Sequence, residues 1–245
     1  MAKSLEKWLD TDVEKVIKYP IDRLSNEFFF RDPPRPMFVD SSYFFSPADG
    51  VILYQKVIHN PKESIVEIKG VNYTLQDVMG DPEYDKPSLV IGIFMSFYDV
   101  HINRIPYGGV LTFKGLDTIE SNNKPMLALE KDILEAVINP NSMEYLHHNE
   151  RMFNKIYVPG LDYTYYLIQI ADEDVNVIAH FTQDQYECFD QNERFSQIRW
   201  GSQVDLVLPL DKDMDFELCH PDTYHVCAGI DKLVKITFKD ELEQS

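Results

Sequence analysis

Cysteine is scarce in this chain of 245 residues: Cys188, Cys219 and Cys227 are the only three. They are odd in number, form no Cys-x-x-Cys pair and lack zinc-finger spacing, which argues against a disulfide scaffold and a thiolate zinc site. Inert thiols are expected. Long apolar runs are missing too. No stretch of about 18 apolar residues occurs, and the N-terminal MAKSLEKWLDTDVEK lacks the apolar core of a signal peptide. The expectation is a soluble, cytoplasmic protein with no transmembrane segment and at most peripheral membrane contact. Basic residues are also few. With 23 Lys and Arg against 41 Asp and Glu, the net charge is −18. Coulomb repulsion then opposes nucleic acid as a partner. An acidic surface gains little at an anionic bilayer, where each basic residue contributes only about 1 kcal/mol.

What the chain does have is an ordinary globular composition, 44% hydrophobic and 26% charged, with 13% aromatic residues that suit broad packed surfaces. One compact unit fits this length. Leu5, Trp8, Leu9, Val13, Val16, Ile17, Ile21 and Leu24 recur at helical steps, which predicts an amphipathic helix interrupted at Pro20 and packed on the body. Its polar face mixes lysines with acids, unlike a membrane-surface helix. RDPPRP at 31–36 predicts an extended linker. Strand signals follow at 50–58, 64–71 and 88–95, with a short helix at 74–80 ended by glycine. Further strands are expected at 156–158, 163–170, 175–181, 196–200, 203–208 and 232–238. The predicted fold is α+β: a β-rich single domain of antiparallel sheets, sandwich-like, with N-terminal helices.

Four polar clusters interrupt the apolar runs: SPADG at 46–50, DVHINR at 99–104, NER at 149–151 and GS at 201–202. Each alone is weak. A Gly-Ser pair is common, a lone histidine after a strand is usually structural, and Asp-Gly is a frequent hairpin turn. His147 and His148 beside NER lack a ligand partner at metal spacing, so no metal is expected.

Order and surroundings change that weighing. FFRDPPRP (29–36), FSPADGVI (45–52), KGVNYTLQDVMG (69–80), FMSFYDVHINRIPYGG (94–109), HNERM (148–152) and ERFSQIRWGSQVDLVLP (193–209) together resemble phosphatidylserine decarboxylases, in particular their short forms. The resemblance spans most of the chain. It implies one such domain over 1–245, cut between Gly201 and Ser202 into 1–201 and 202–245, with Ser202 as the nucleophile. Ser202 becomes a pyruvoyl cofactor at the new N-terminus. A Schiff base between that group and the substrate amine then draws in the electrons left by carbon dioxide.

The resemblance also implies a base oriented by an acid, His101 and Asp49, on the logic of an Asp-His-Ser arrangement. His101 is open to three roles: processing base, proton donor to the substrate carbon, or both at different stages. Many family members carry a second histidine where Arg104 stands. Arg104 is read either as a fork binding a substrate carboxylate or phosphate, or as a surface residue. Gln203 stands where other members have threonine or arginine. The implied reaction is phosphatidylserine to phosphatidylethanolamine plus carbon dioxide. The alternatives are decarboxylation of a free amino acid, for example an aromatic one, and a non-catalytic relative serving as an interaction module. A homodimer is implied by resemblance alone.

Overall fold

In a buried strand, successive side chains enter opposite cores, and the two most buried strands here divide in that way. Along Ser202–Pro209, Val204, Leu206 and Leu208 enter one core and Val207 the other. Along Ser88–Met95, Leu89, Ile91, Ile93 and Met95 oppose Val90 and Phe94. Both strands are buried along their whole length, which is why 88–95 is a continuous apolar run and not an alternating one.

The computed structural model describes residues 1–116, 123–173, 177–199 and 201–239. These two strands lie inside an antiparallel sheet of nine. Its order is Lys3–Ser4, Tyr224–Val226, Gly50–Ile58, Ser88–Met95, Ser202–Pro209, Tyr163–Ala171, Arg151–Val158, Gly109–Leu116 and Glu187–Phe189. Two three-stranded sheets cover one face. The first is Ile178–His180, Arg194–Ile198 and Ile102–Arg104; the second is Met214–Leu218, Lys232–Phe238 and Tyr43–Phe45. Phe195, Ile198, Val234 and Ile236 share one buried core there with Val204 and Leu206. The opposite face is closed by Leu5 and Trp8 of the N-terminal helical segment, Ile65 of a hairpin, and Leu75 and Leu129 of the helices Leu75–Met79 and Leu127–Leu134. The expected β-rich, sandwich-like α+β domain with N-terminal helices is what forms.

Local details depart from the sequence reading where backbone geometry intervenes. The stretch 64–71 is not one strand: Lys69 and Gly70 take φ of +50° and +81°, and this positive pair reverses the chain between Ser64–Ile68 and Val71–Thr74. Thr74 caps the next helix in a capping box with Asp77, and Gly80 ends it at φ +59°. The N-terminal segment packs through Leu5, Trp8, Val13 and Val16, whereas Ile17 and Ile21 stay exposed. The strand expected at 156–158 begins at Arg151, and the helix Leu127–Leu134 is unanticipated. The strands expected at 175–181 and 196–200 end on positions 175, 176 and 200, which lie outside the described residues. Among the described residues, no helix is long and apolar enough to cross a membrane.

Gly92 lies under the ring of Tyr54, and a Cβ there would overlap it. Gly92→Ala is expected to displace that ring and cost about 1–3 kcal/mol of stability, read as a lower urea midpoint with unchanged slope. An unchanged midpoint would show that the ring yields freely.

Candidate active site

Ser202 opens the central strand, opposite Met95 on one neighbour and Ala171 on the other, and its side chain is fully buried. Its Oγ lies 3.3 Å from Met95 Sδ and 3.4 Å from His101 Nδ1. His101 reaches this place from the loop that follows Ser88–Met95. Its Nε2 is 2.9 Å from the Ser96 carbonyl, which can only accept, so Nε2 carries the proton and Nδ1 presents a lone pair to Ser202. Phe29 stacks on the imidazole at 3.9 Å between centroids. Burial pushes the His101 pKa down to about 4, so the ring is neutral at physiological pH. The 3.4 Å separation is long for a hydrogen bond, a usual feature of a base and nucleophile at rest.

Gly201, immediately upstream, is buried against Asp172: a Cβ at this position would sit 2.5 Å from Asp172 Oδ2. That carboxylate is held in turn by the Met126 N–H at 2.7 Å and the Glu173 N–H at 2.8 Å. Only glycine fits without displacing it. On the other face of the strand, Gln203 is locked into a buried network. Its Nε2 donates to Asp205 at 2.6 Å and to the Tyr54 hydroxyl at 2.8 Å, and its Oε1 accepts from Tyr145 at 2.5 Å. Tyr54 also donates to Asp205 at 3.0 Å. The departure at position 203 is thus absorbed by the core behind the strand.

Ser202 and His101 are brought together, whereas Asp49 and Arg104 are engaged elsewhere. Asp49 takes a bidentate ion pair from Arg35, at 2.6 and 2.7 Å, and accepts the Ala228 N–H at 2.8 Å. Arg35 belongs to the extended RDPPRP segment, so that linker reads as one arm of the site. Arg104 is buried, not on the surface; its Nη1 donates to the Asn192 carbonyl at 2.9 Å and its Nε has no hydrogen-bond partner among the described residues. Its backbone N–H bonds the Pro47 carbonyl, tying DVHINR to SPADG. In NER, Asn149 clips Ala171 and Lys124, bracing the strand beside Ser202.

Four groups that the sequence reading passes over shape the site. Asp99, inside the DVHINR motif, accepts the Ser96 N–H and Oγ–H at 2.8 Å each and pairs with His225 at 2.6 Å. Glu130 is buried, its carboxyl accepting the Phe97 N–H while its Oε1 has no hydrogen-bond partner among the described residues. Phe29 and Asp172 complete the set. Asp99 and Phe29 carried a signal, the first standing two residues before His101 and the second opening FFRDPPRP, whereas Glu130 and Asp172 carried none.

Comparison with known proteins identifies the family. The phosphatidylserine decarboxylase family profile matches residues 27–229. A phosphatidylserine decarboxylase proenzyme of Erythrobacter litoralis is 31% identical over 183 residues, 74% of this chain and 62% of that protein. The proenzyme of Prosthecochloris aestuarii is 28% identical over 78% of this chain and 69% of its own length. That of Wolbachia pipientis is 29% identical over 76% and 66%. The chain therefore spans about two thirds, or slightly less, of the curated relatives it matches. No solved structure matches it. With its glycine-serine step beside a buried, neutral histidine, and a family match over most of its length, this chain belongs to the phosphatidylserine decarboxylase family.

Proposed function

We propose that this chain is a self-processing decarboxylase that makes a pyruvoyl cofactor from Ser202 and converts phosphatidylserine to phosphatidylethanolamine and carbon dioxide. The observation that carries the reading is the His101 Nδ1 lone pair facing the buried Ser202 Oγ at 3.4 Å, one residue after a glycine that has no room for a side chain. Those residues fit the making of the group. His101 takes the Ser202 proton as Oγ attacks the Gly201 carbonyl; the C–N bond breaks and the nitrogen receives that proton, leaving an ester. Loss of the Ser202 Cα proton and cleavage of the Oγ–Cβ bond then free Gly201 as a carboxylate. Water replaces the nitrogen, and ammonia leaves. The pyruvoyl carbonyl supplies an electron sink for the bond to the departing carboxylate. Arg104, buried with an Nε–H that no described residue accepts, is the candidate donor to the substrate's carboxylate or phosphate.

The fragments 1–201 and 202–245 would stay together. Ser202–Pro209 is paired on both edges, and Tyr224–Val226 and Lys232–Phe238 are each paired on both edges by strands within or beyond the break. A cytoplasmic homodimer, at most peripheral to the membrane, is part of the same reading.

Intact-mass spectrometry of freshly purified protein tests it. Two fragments are expected, the smaller lighter by one ammonia than simple hydrolysis would leave and modified by hydroxylamine. A chain that stays whole after long incubation sinks the reading. Carbon dioxide release from phosphatidylserine vesicles, set beside release from free tryptophan, then identifies the substrate. The net charge of −18 favours testing the free amino acid as well.

A further inference from the structure

We infer that His225 is a positioning residue for the processing base, acting through Asp99 on the turn whose carbonyl sets the tautomer of His101. This rests on the self-processing reading and extends it to a residue on the far side of the cut.

Ser96 to Asp99 form a turn at the end of the Ser88–Met95 strand. Asp99 Oδ2 accepts both the N–H and the hydroxyl of Ser96, and the Asp99 N–H returns a bond to the Ser96 carbonyl at 3.0 Å. That carbonyl also accepts His101 Nε2–H. Rotating the turn therefore redirects the acceptor that keeps the proton on Nε2 and the lone pair on Nδ1. Asp99 Oδ1 is taken by His225 Nε2 at 2.6 Å, and both residues are buried, Asp99 at 2% and His225 at 5% exposure. His225 is itself fixed. It sits in strand register between Lys3 and Val51, and Trp8 stacks flat on its ring at 4.5 Å.

Burial alone would strip the His225 proton, but Asp99 and the neighbouring Cys227 more than offset it and raise the pKa to about 10. The pair is thus ionic at neutral pH. A cavity of about 430 Å³ adjoins it, and Lys3, Asp12, Lys15, Arg31, Asp49 and Tyr98 are among the charged and titratable groups that line it. Removing one partner of such a buried pair leaves the other charge uncompensated, so Asp99 without His225 would take up a proton and release Ser96. His225 lies after residue 201 and Asp99 before it, so the pair joins the two fragments once the chain is cut.

The test uses the full chain. Nitrogen-15 spectra of labelled histidine in Ser202→Ala, which cannot be cut, are expected to show His101 as a single Nε2–H tautomer. Adding His225→Gln is expected to convert that signal to a mixture. In the chain with Ser202 intact, His225→Gln is expected to slow cleavage by about tenfold or more while a cooperative melting transition persists. Either readout unmoved in a folded variant overturns the proposal. Where His225→Gln does not fold, Asp99→Asn, of nearly equal volume, is read in the same two ways. A wild-type chain that never cuts refutes the self-processing reading instead, and the tautomer alone then decides the role of His225.

Discussion

His101→Gln is expected to slow cleavage at 201/202 by about 10²–10⁴-fold, and Ser202→Ala to leave one 28.6 kDa chain indefinitely. Glutamine retains an N–H for the Ser96 carbonyl, so the loop is held, but it offers no basic nitrogen to Ser202. Serine is a weak nucleophile without a base, and the Met95 sulfur, at 3.3 Å, is a poor proton acceptor. The pH dependence separates this from a loss of packing. Because burial lowers the His101 pKa to about 4, the base form predominates throughout the neutral range. The wild-type rate is then flat from about pH 5.5 to 8. A rate that fell tenfold between pH 7 and 5.5 would place the titrating base elsewhere, and intact-mass time courses in buffers of matched ionic strength would show it.

Stability is expected to fall steadily as pH rises from 6.5 towards 10. Three buried groups hold protons in the folded chain that the unfolded chain gives up. Burial raises Asp205 from 3.8 to about 7 and Glu130 from 4.5 to about 8; His225, despite its burial, is raised from 6.5 to about 10 by Asp99. Between each ordinary value and its raised value the folded state binds more protons, so stability declines with pH across that window. His101 and His180, lowered by burial to about 4, have the opposite sign. Their contribution is lost as pH falls from 6.5 to 4, where it opposes that of the two carboxyls. Above 6.5 Asp205, Glu130 and His225 act in one direction.

Glu130→Gln isolates one carboxyl contribution, since the amide oxygen still accepts the Phe97 N–H and never ionises. It is expected to stabilise the chain by about 2–4 kcal/mol at pH 8.5 and by much less at pH 5. Urea melts at both values check this. An equal effect at both would mean that Glu130 does not hold a proton in the fold.

The layers of the fold were legible because periodicity reports burial. The continuous apolar run at 88–95 and the glycine-ended helix at 74–80 reappear at those positions, since each is decided by local propensity and by which faces are dry. Reach was less legible. Lys69 and Gly70 split an apparent strand because a positive-φ pair weighs more than strand propensity around it. Ile17 and Ile21 keep the helical spacing yet stay exposed, because spacing alone does not fix which face meets the body.

In the site, the resemblance carried by the motifs together singled out Ser202 and His101, which do meet across 101 positions of sequence. Asp49 was equally visible, but its partner was not. An acid can orient a histidine or pair with an arginine, and Arg35 is delivered by an extended linker whose path only the packed body sets. The same holds for His225 and Asp99, 126 positions apart, and for Glu130, an ordinary-looking helical acid that becomes a proton holder only when the fold buries it.

By itself the sequence determined the β-rich class, the buried strand at 88–95, the capped helix at 74–80 and the family, because these depend on local propensity, periodicity and residue order. The tertiary structure alone decided which acid serves which base and which carboxyls keep their protons, because ion pairing and desolvation depend on distances between segments that are remote in the chain.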